Sequence, residues 1–596
     1  MGKWTRRAFL TTGALVGGGL IVGVAIRPGH RTPELAEFMQ GDDETLVNAW
    51  LKILPDNSIK VIVPHAEMGQ GVHTVLPMML ADEMDADWSK VSMEQAPAHE
   101  EYATFHVARQ FILPSPALGI VEDTLKGMFL KVSQSMSLQI TGGSFSVRST
   151  GALGMRTAGA AAREMLMQAA ADVWDVPVTS IRTENSYLYH DASNRKEPYA
   201  TFASAAAAKR GPDQPVLKTP DQYKIMGQPI PRFDIPEKVD GTAIFGMDVD
   251  LPGMKYATVK SAPVFGSTVQ SMDAAEAEGM PGVVKVVDMG TGVGVIADSY
   301  WQAKKAIAKV KMTYTQGDAD ALNTESLFTQ FLRDMDRALS DGDEQEDFAK
   351  GDARKVLANS QNLVEAEYRV PFLAHACMEP LNCTAVAKDG EVEIWSGLQN
   401  PLGVRDYIAD EFGYDKDKVT IHNVYLGGGF GRRANTDYPH QGVQLAQALP
   451  GTPVKMIWSR EEDTQQDFYR PAVISRFKGS LNASGMPDAW EHQFVDKHEP
   501  IEAPTIPYAI DNQFIHYTDS NTHVRFGPWR SVDHTQHAFF TESFIDELAV
   551  AAGKDPYRYR HDLLDAEPRI QKVLDTAAKM ADWGKQLPDG WGQGIA

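Results

Sequence analysis

Cysteine is nearly absent. Only Cys377 and Cys383 occur among the 596 residues. An iron–sulfur cluster takes four thiolates, so this chain carries none of its own, and any electrons that leave it must pass to another subunit. Both cysteines lie in the apolar stretch PFLAHACMEPLNCTAV and read as buried free thiols packed like small hydrophobes, with a disulfide or a ligand role as the alternative. Positive charge is also scarce. Lysine and arginine number 57 against 79 aspartates and glutamates, a formal net charge of −22. That sign repels a phosphate backbone and removes nucleic acid from the partners, which leaves a small or neutral substrate.

The apolar run from Thr11 to Ile26 falls short of the ~20 residues that a spanning helix needs. It follows Thr5-Arg6-Arg7-Ala8-Phe9-Leu10, a basic segment ahead of an apolar one in the manner of an export signal. The paired arginines before Phe9 and Leu10 are similar to the twin-arginine signal, which carries proteins that fold around a cofactor before crossing. Residues 1–30 are thus expected to send the protein to the periplasm. No Ala-x-Ala cleavage site stands out, so an uncleaved inner-membrane anchor stays open. The rest, with 43% hydrophobic and 23% charged residues overall, is of ordinary globular composition and long enough for several domains.

From Leu46 the chain is extended in character, ending in the alternating SIKVIV of 58–63. The turn Gly69-Gln70-Gly71 leads into VHTVLPMMLADEM, apolar at helical spacing, where Pro77 fits if it lies in the first turn. A second loop, Thr141 to Ser149, leads into the helix AGAAAREMLMQAAADVW. Each puts small residues and free N–H groups at a helix start, a favourable place for anions, and two such loops suggest one large polyanionic ligand. A polar, proline-rich boundary covers about 209–231. Short alternating runs beyond it, from Ile225 to Thr315, read as a small mixed α/β domain. The acidic stretch Asp341 to Asp347 reads as a surface loop. VTIHNVYL, 419–426, reads as a strand and runs into Gly427-Gly428-Gly429-Phe430-Gly431-Arg432-Arg433.

This glycine loop fails the dinucleotide fingerprint, because Arg432 stands where the sixth-position glycine should be. It also lacks the Gly-Lys-Ser or Gly-Lys-Thr ending of a Walker loop. What remains is backbone that a ligand can approach closely, beside one aromatic ring and two guanidinium groups. Leu398-Gln399-Asn400-Pro401 precedes it and Phe526-Gly527-Pro528-Trp529-Arg530-Ser531 follows.

With Glu67-Met68-Gly69-Gln70-Gly71, these segments resemble the molybdopterin-binding subunits of the xanthine dehydrogenase and aldehyde oxidase superfamily, in particular the branch of isoquinoline 1-oxidoreductase beta subunits. The resemblance covers nearly everything from Leu46 onward. HACMEPLNCTAV and PVKMIWSREED add to it, and RFDIPEKVDGTAIFGMDVDLPGM looks like the family's α/β hammerhead domain. It implies an α+β fold of molybdopterin-binding domains of the xanthine dehydrogenase large-subunit type, with the E-M-G-Q-G and serine loops ahead of the glycine loop, a permuted order. The implied parts are 44–210, an N-terminal molybdopterin-binding segment; 220–320, the hammerhead; and 345–596, the main molybdopterin-binding domain, incomplete at its C-terminus.

The resemblance also implies roles. Gln399 would hydrogen-bond an oxo ligand of molybdenum, with its carbonyl fixed elsewhere. Phe430 and Gly431 would bring backbone N–H groups to the metal's oxygens, with Gly428 and Gly429 in the same cradle and Arg432 near the pterin or its phosphate. Met68, Gly69, Gln70, Gly71, Ser144, Ser146, Val147 and Arg148 would hold the pterin and its dinucleotide extension, of the cytosine form. Arg530 would stand near the metal, orienting substrate or stabilising charge. No protein side chain is expected to ligate the metal directly. Purine enzymes of the family have a glutamate where this chain has Ala434, so an aldehyde or an N-heteroaromatic ring fits better than a purine. Electrons would go to a small iron–sulfur subunit with 2Fe–2S clusters, and a cytochrome c is a candidate next acceptor. The family's catalytic glutamate lies in a Gly-Glu motif near the C-terminus and is not among these residues. Neither Glu67, in a cofactor loop, nor Glu379, which reads as pocket-wall support, takes its place. The competing reading is a non-catalytic exported assembly or cofactor-binding subunit without that glutamate.

Replacing Arg6 and Arg7 together by lysine is expected to hold the protein in the cytoplasm. Cell fractionation checks this, and undiminished periplasmic recovery would count against a twin-arginine route.

Overall fold

The first four strands are short and build a half-buried sheet. A computed structural model describes residues 39, 44–104, 131–142, 144, 146–212, 214–315, 322–496 and 504–596. Residues 1–30, expected to direct export, and Gly143 and Phe145 of the serine loop lie outside the described residues. Strands β1 (Thr45–Asn48), β2 (Leu51–Ile53) and β3 (Ile59–Val63) pair antiparallel, and β4 (Val91–Gln95) adds in parallel to β3 through the crossover helix α1 (Val72–Glu83). Helix α1 starts at Gly71 in left-handed conformation, φ +82°, and turns Val72, Leu76 and Leu80 into the core. Pro77 is a correction. It lies beyond the first turn and buried, so its ring removes the N–H that would have bonded the His73 carbonyl.

Helix α2 (Arg156–Trp174) lies against α1, and its alanines allow a close approach. A Cβ on Gly159 would come within 2.3 Å of the Leu80 carbonyl oxygen. The serine loop is also shorter than expected, because Ser146–Met155 forms a ten-residue π-helical turn continuous with α2. Strands β5 (Arg182–Glu184), β6 (Tyr187–His190) and β7 (Arg195–Pro198) form a small antiparallel sheet, and α3 (Tyr199–Ala207) packs Phe202 edge-on to Trp174 at 5.3 Å.

Next come β8 (Lys255–Ser261), β9 (Val269–Asp273), β10 (Val283–Asp288), β11 (Gly292–Ala297), α4 (Tyr300–Ile307) and β12 (Lys311–Tyr314). Alternation along β11 serves two cores. Val293, Val295 and Ala297 pack with Ala303 and Ala306 of α4, while Ile296 faces the larger core with Ala257 and Met289. The remaining strands divide between two sheets. β13 (Gln345–Lys350) and β14 (Leu363–Val370) belong to one. β15 (Asn382–Lys388), β16 (Glu391–Ser396), β17 (Val419–Asn423) and β18 (Val454–Ile457) belong to the other. β19 (Val473–Leu481), β20 (Pro487–Asp496) and β21 (Asn512–Asp519) return to the first.

The expected division between 220–320 and 345–596 does not divide the sheet. β8 pairs in parallel with β18, Val454 opposite Lys255, giving one seven-stranded sheet in the order β10-β11-β8-β18-β15-β16-β17. Two expected boundaries also shift. The strand read over 419–426 ends at Asn423, and the acidic stretch runs into β13. Helix α5 (Pro401–Phe412) is capped by Asn400, and α6 (Asp437–Gln447) follows the glycine loop. The five-stranded sheet β13-β21-β20-β19-β14 is covered by α7 (His534–Ala551), whose Phe540 and Phe544 pack over Phe477, Trp490 and Phe494. Among the described residues no helix is long and apolar enough to cross a membrane.

Gly159→Ala is expected to destabilise the N-terminal unit by about 1–3 kcal/mol, the usual range for overpacking against atoms that cannot move aside. A urea melt of the variant beside the parent checks this; an unchanged midpoint would show that the two helices can separate freely.

Candidate functional site

β16 and β17 run parallel and end side by side, Ser396 opposite Asn423. Their carboxyl ends lead into the Gln399 turn and the glycine loop, the end of a parallel pair at which ligands usually bind. Asn423 ties the two exits together: its side chain accepts from Leu398 N–H at 2.8 Å and donates to the Leu398 carbonyl at 3.2 Å. Gln399 follows, buried, with its amide used at both ends. Oε1 accepts from Gly431 N–H at 3.0 Å, and Nε2 donates to the Thr141 carbonyl at 3.1 Å, leaving the second amide N–H. Thr141 in turn donates its N–H to the Gln399 carbonyl at 2.7 Å, and its hydroxyl accepts from Ala66 N–H at 2.8 Å. One threonine therefore joins the start of the serine loop, the Gln399 turn and the chain entering the E-M-G-Q-G loop.

The glycine loop reverses direction through left-handed backbone at Gly428 (φ +100°), Phe430 (φ +56°) and Gly431 (φ +110°). Phe430 is a bulky residue in a region that favours glycine, a strain typical of functional sites. Its ring folds back over Gly428, where a Cβ would come within 2.8 Å of it. A Cβ on Gly429 would meet Gln399 Oε1 at 2.6 Å and Met68 Sδ at 3.0 Å, and one on Gly431 would meet the Pro528 carbonyl at 1.9 Å. Among the described residues, the N–H groups of Gly428, Gly429 and Phe430 have no acceptor. Successive free N–H groups of this kind form a nest for anionic oxygen.

The arginines after the loop face inward, which corrects the expectation for Arg432. Its fully buried guanidinium pairs with Asp437 at 2.6 Å and Asp467 at 2.8 Å and lies against Tyr438, Trp458 and Phe468. Burial opposes its charge, but the two carboxylates raise its pKa above the ordinary value. It supports the loop from beneath rather than meeting a pterin phosphate. Arg433 donates to the Gly428 carbonyl and pairs with Glu379 at 2.8 Å. Glu379 also accepts from the N–H groups of Gly427 and Met247 and from Asn382, so its oxygens are committed to the wall.

Glu67 is similarly engaged. It accepts N–H bonds from Gly69 (2.8 Å), Gly71 (3.0 Å) and His73 (3.2 Å), and pairs with Arg232 at 3.1 Å. Gln70 closes its own turn, accepting from Met68 N–H at 2.6 Å and donating to the Ala66 carbonyl. Arg232 also donates to the Gly69 carbonyl and pairs with Asp234 at 2.6 Å. Burial works against the Asp234 charge, but Arg232 and Lys238 bring its pKa down to about 2. On the serine side, Ser146 is buried with an unpaired hydroxyl, Ser144 and Arg148 are exposed, and Val147 is half-buried. Arg530 is exposed on the turn after Pro528 and Trp529.

Sequence reading missed Thr141 as the junction, Arg232 as the outer clasp of the first loop, and His375 with Asp467 beneath the second. Arg232 carried a signal, since it opens the RFD stretch; the others are single polar residues without a pattern.

Two molybdopterin cofactor-binding domain models match the chain, one over residues 339–562 and the other, the family's second domain, over 11–103. Its curated relatives include the beta subunit of isoquinoline 1-oxidoreductase of Brevundimonas diminuta, 27% identical over 99% of this chain and 79% of the relative. They also include the membrane-bound aldehyde dehydrogenase (pyrroloquinoline-quinone) of Gluconacetobacter polyoxogenes, 28% identical over 99% and 78%. The chain belongs to the xanthine dehydrogenase family. It is an oxidoreductase of the molybdenum hydroxylase type, a large subunit of α+β fold whose second domain comes first. A nicotinate dehydrogenase subunit of Pseudomonas putida is 26% identical over 94% of this chain and 45% of its own length. The solved aldehyde oxidoreductase of Desulfovibrio gigas shares 21% identity over 65% of this chain and 51% of that one, with a TM-score of 0.48. The residues present fit the family's molybdenum-pterin group: a nest of free N–H groups, a glycine at 429 that lets Gln399 and Met68 close against the loop, a spare amide donor on Gln399, and the orphaned buried hydroxyl of Ser146.

His65 connects these loops. It is fully buried, its Nε2 lies 2.8 Å from the Thr150 hydroxyl, and burial pushes its imidazole from 6.5 down to about 3. The folded chain refuses a proton that the unfolded chain accepts. Its contribution to stability is therefore complete above pH 6.5 and lost as the pH falls from there toward about 3. In His65→Gln the acid-dependent part of the loss should shrink. Thermal melts of both proteins at neutral pH and about pH 4.5 should show a smaller drop for the variant, and equal drops would place the acid sensitivity elsewhere.

Proposed function

We propose that this chain is the catalytic subunit of a hydroxylase that oxidises an aldehyde or an N-heteroaromatic ring with oxygen derived from water. The observation that carries this reading is the meeting of three loops at Thr141 and Gln399 around the unpaired N–H groups of Gly428, Gly429 and Phe430. When bound, the molybdenum-pterin group supplies the two-electron oxidation. The protein's part is position. The second Gln399 N–H and the nest hold anionic oxygens, Met68 and Gly69 to Gly71 hold the pterin, and Ser144, Ser146, Val147 and Arg148 hold its extension, a cytosine dinucleotide. Arg530, exposed at the edge, meets the substrate and offsets developing charge. Glu67 and Glu379 are each saturated by donors, so neither serves as the base. Ala434 argues against purines. The relatives' names point to aldehydes and nitrogen heterocycles. Electrons pass to a separate subunit with 2Fe–2S clusters and on to a cytochrome c, in the periplasm, where the N-terminal segment is either removed as an export signal or kept as an inner-membrane anchor.

The test uses the complete enzyme with its redox partner. Phe430→Ala should retain molybdenum while turnover of aldehydes or N-heterocycles falls on the order of tenfold or more. Gly429→Val, which pushes a side chain into Gln399 and Met68, should lose molybdenum itself. Metal analysis of this subunit should show no stoichiometric iron. Full metal and full turnover in both variants would make the loop an ordinary structural turn.

A further inference from the structure

Beneath the glycine loop lies an alternating row of charges, buried but for the half-buried Asp437 at its outer end. Asp437 pairs with Arg432, Arg432 with Asp467, and Asp467 with His375. His375 ends the row. Its Nδ1 lies 3.0 and 3.1 Å from the two Asp467 oxygens, and its Nε2 lies 2.9 Å from the Pro528 carbonyl. Asp467 is already ringed by positive partners: the N–H groups of His375 and Phe468, and the Arg432 guanidinium. Burial works against its charge, but the His375 ring first, and then Arg432 and the His375 N–H, hold its carboxyl below the ordinary range. An ionised carboxylate and a carbonyl only accept, so each ring nitrogen must donate.

The carbonyl that His375 holds is the one that rests on Gly431, where a Cβ would come within 1.9 Å of it. The imidazole also lies 4.3 Å from the Trp529 ring, a favourable place for a cation over an indole. Upstream, Phe526 is bridged to Tyr469, and a Cβ on Gly527 would come within 2.8 Å of Phe468. Downstream, Ser531 and Val532 both take left-handed backbone, at φ +67° and +50°, a strained state for a β-branched residue. The other charged or titratable groups around this row are Asp463, Arg433, Arg525, Tyr469 and Cys377.

We propose that His375 is a positioning residue: with a proton on each ring nitrogen, it clamps the Pro528 carbonyl over Gly431 and sets where Trp529 and Arg530 stand at the edge of the site. Only the statement that Arg530 meets substrate rests on the function proposed above. Glutamine in place of His375 offers one donor end and one acceptor end to two acceptors, so one contact must fail. Lysine keeps a cation with several donors.

The experiment compares the parent holoenzyme with His375→Gln and His375→Lys. Hydrogen exchange over residues 526–532 should rise about tenfold or more in His375→Gln, the loss of one hydrogen bond to a charged donor. Molybdenum content should stay unchanged and KM should rise more than kcat falls; His375→Lys should recover part of each. In ¹⁵N-histidine-labelled parent enzyme at neutral pH, the imidazole signal that moves in Trp529→Phe should show both nitrogens protonated. A single protonated nitrogen overturns the proposal, as does unchanged exchange over 526–532 in folded His375→Gln. If His375→Gln fails to fold, the labelled parent decides. A parent that oxidises no aldehyde or N-heterocycle would sink the functional reading, while exchange and labelling would still decide the clamp.

Discussion

The side-chain amide of Gln399 bridges two loops that lie far apart in the chain. Its carbonyl end fixes Gly431 and its amino end fixes Thr141, so the glycine loop and the serine loop take their spacing from one planar group about as wide as a peptide bond. Alanine here would leave a buried N–H and a buried carbonyl unpaired, each costing about 1–3 kcal/mol. Glutamate would put a charge where a donor is needed. Few side chains satisfy both partners, because few carry a donor and an acceptor in one rigid plane.

Around this amide the charges are arranged so that the loops need no cation from a ligand to stay folded. Glu67 gathers three N–H groups at the start of α1, and Arg232 neutralises it from the linker. Arg432 and Arg433 are fully buried, but each has its own carboxylate partner. Buried charges are tolerable only when paired and hydrogen-bonded, and here the pairs also hold strained backbone above them. The loop can present free N–H groups because its carbonyls at Gly428 and Gly429 face Arg433 and the Arg432 N–H.

Much of this was legible in the residues and some was not. The turns at Gly69 to Gly71 and Gly427 to Gly431 announce themselves, since left-handed backbone requires glycine and two of the three left-handed residues in the second loop are glycines. Phe430, the third, gives no such signal. Period-two alternation exposed β3 and β17, but it cannot reveal pairing partners, so the union of β8 with β18 was invisible in strands nearly 200 residues apart. Arg432 was misplaced because an arginine after a glycine loop looks the same whether it faces a phosphate or two aspartates; the deciding residues, Asp437 and Asp467, are ordinary in sequence. Pro77 was misjudged because local propensity yields to tertiary packing around α1.

The Thr141–Gln399 contact spans 258 residues, and that separation sets a clock on synthesis. A ribosome that has just added Thr141 must work for on the order of tens of seconds before Gln399 emerges. Until then, the first cofactor loop has no opposite wall. The N-terminal unit can bury its own apolar core during this interval, but it waits as half a cradle. Whatever machinery delivers the metal group therefore meets a chain already made past Gln399, and a shorter nascent one offers it only half of the cradle.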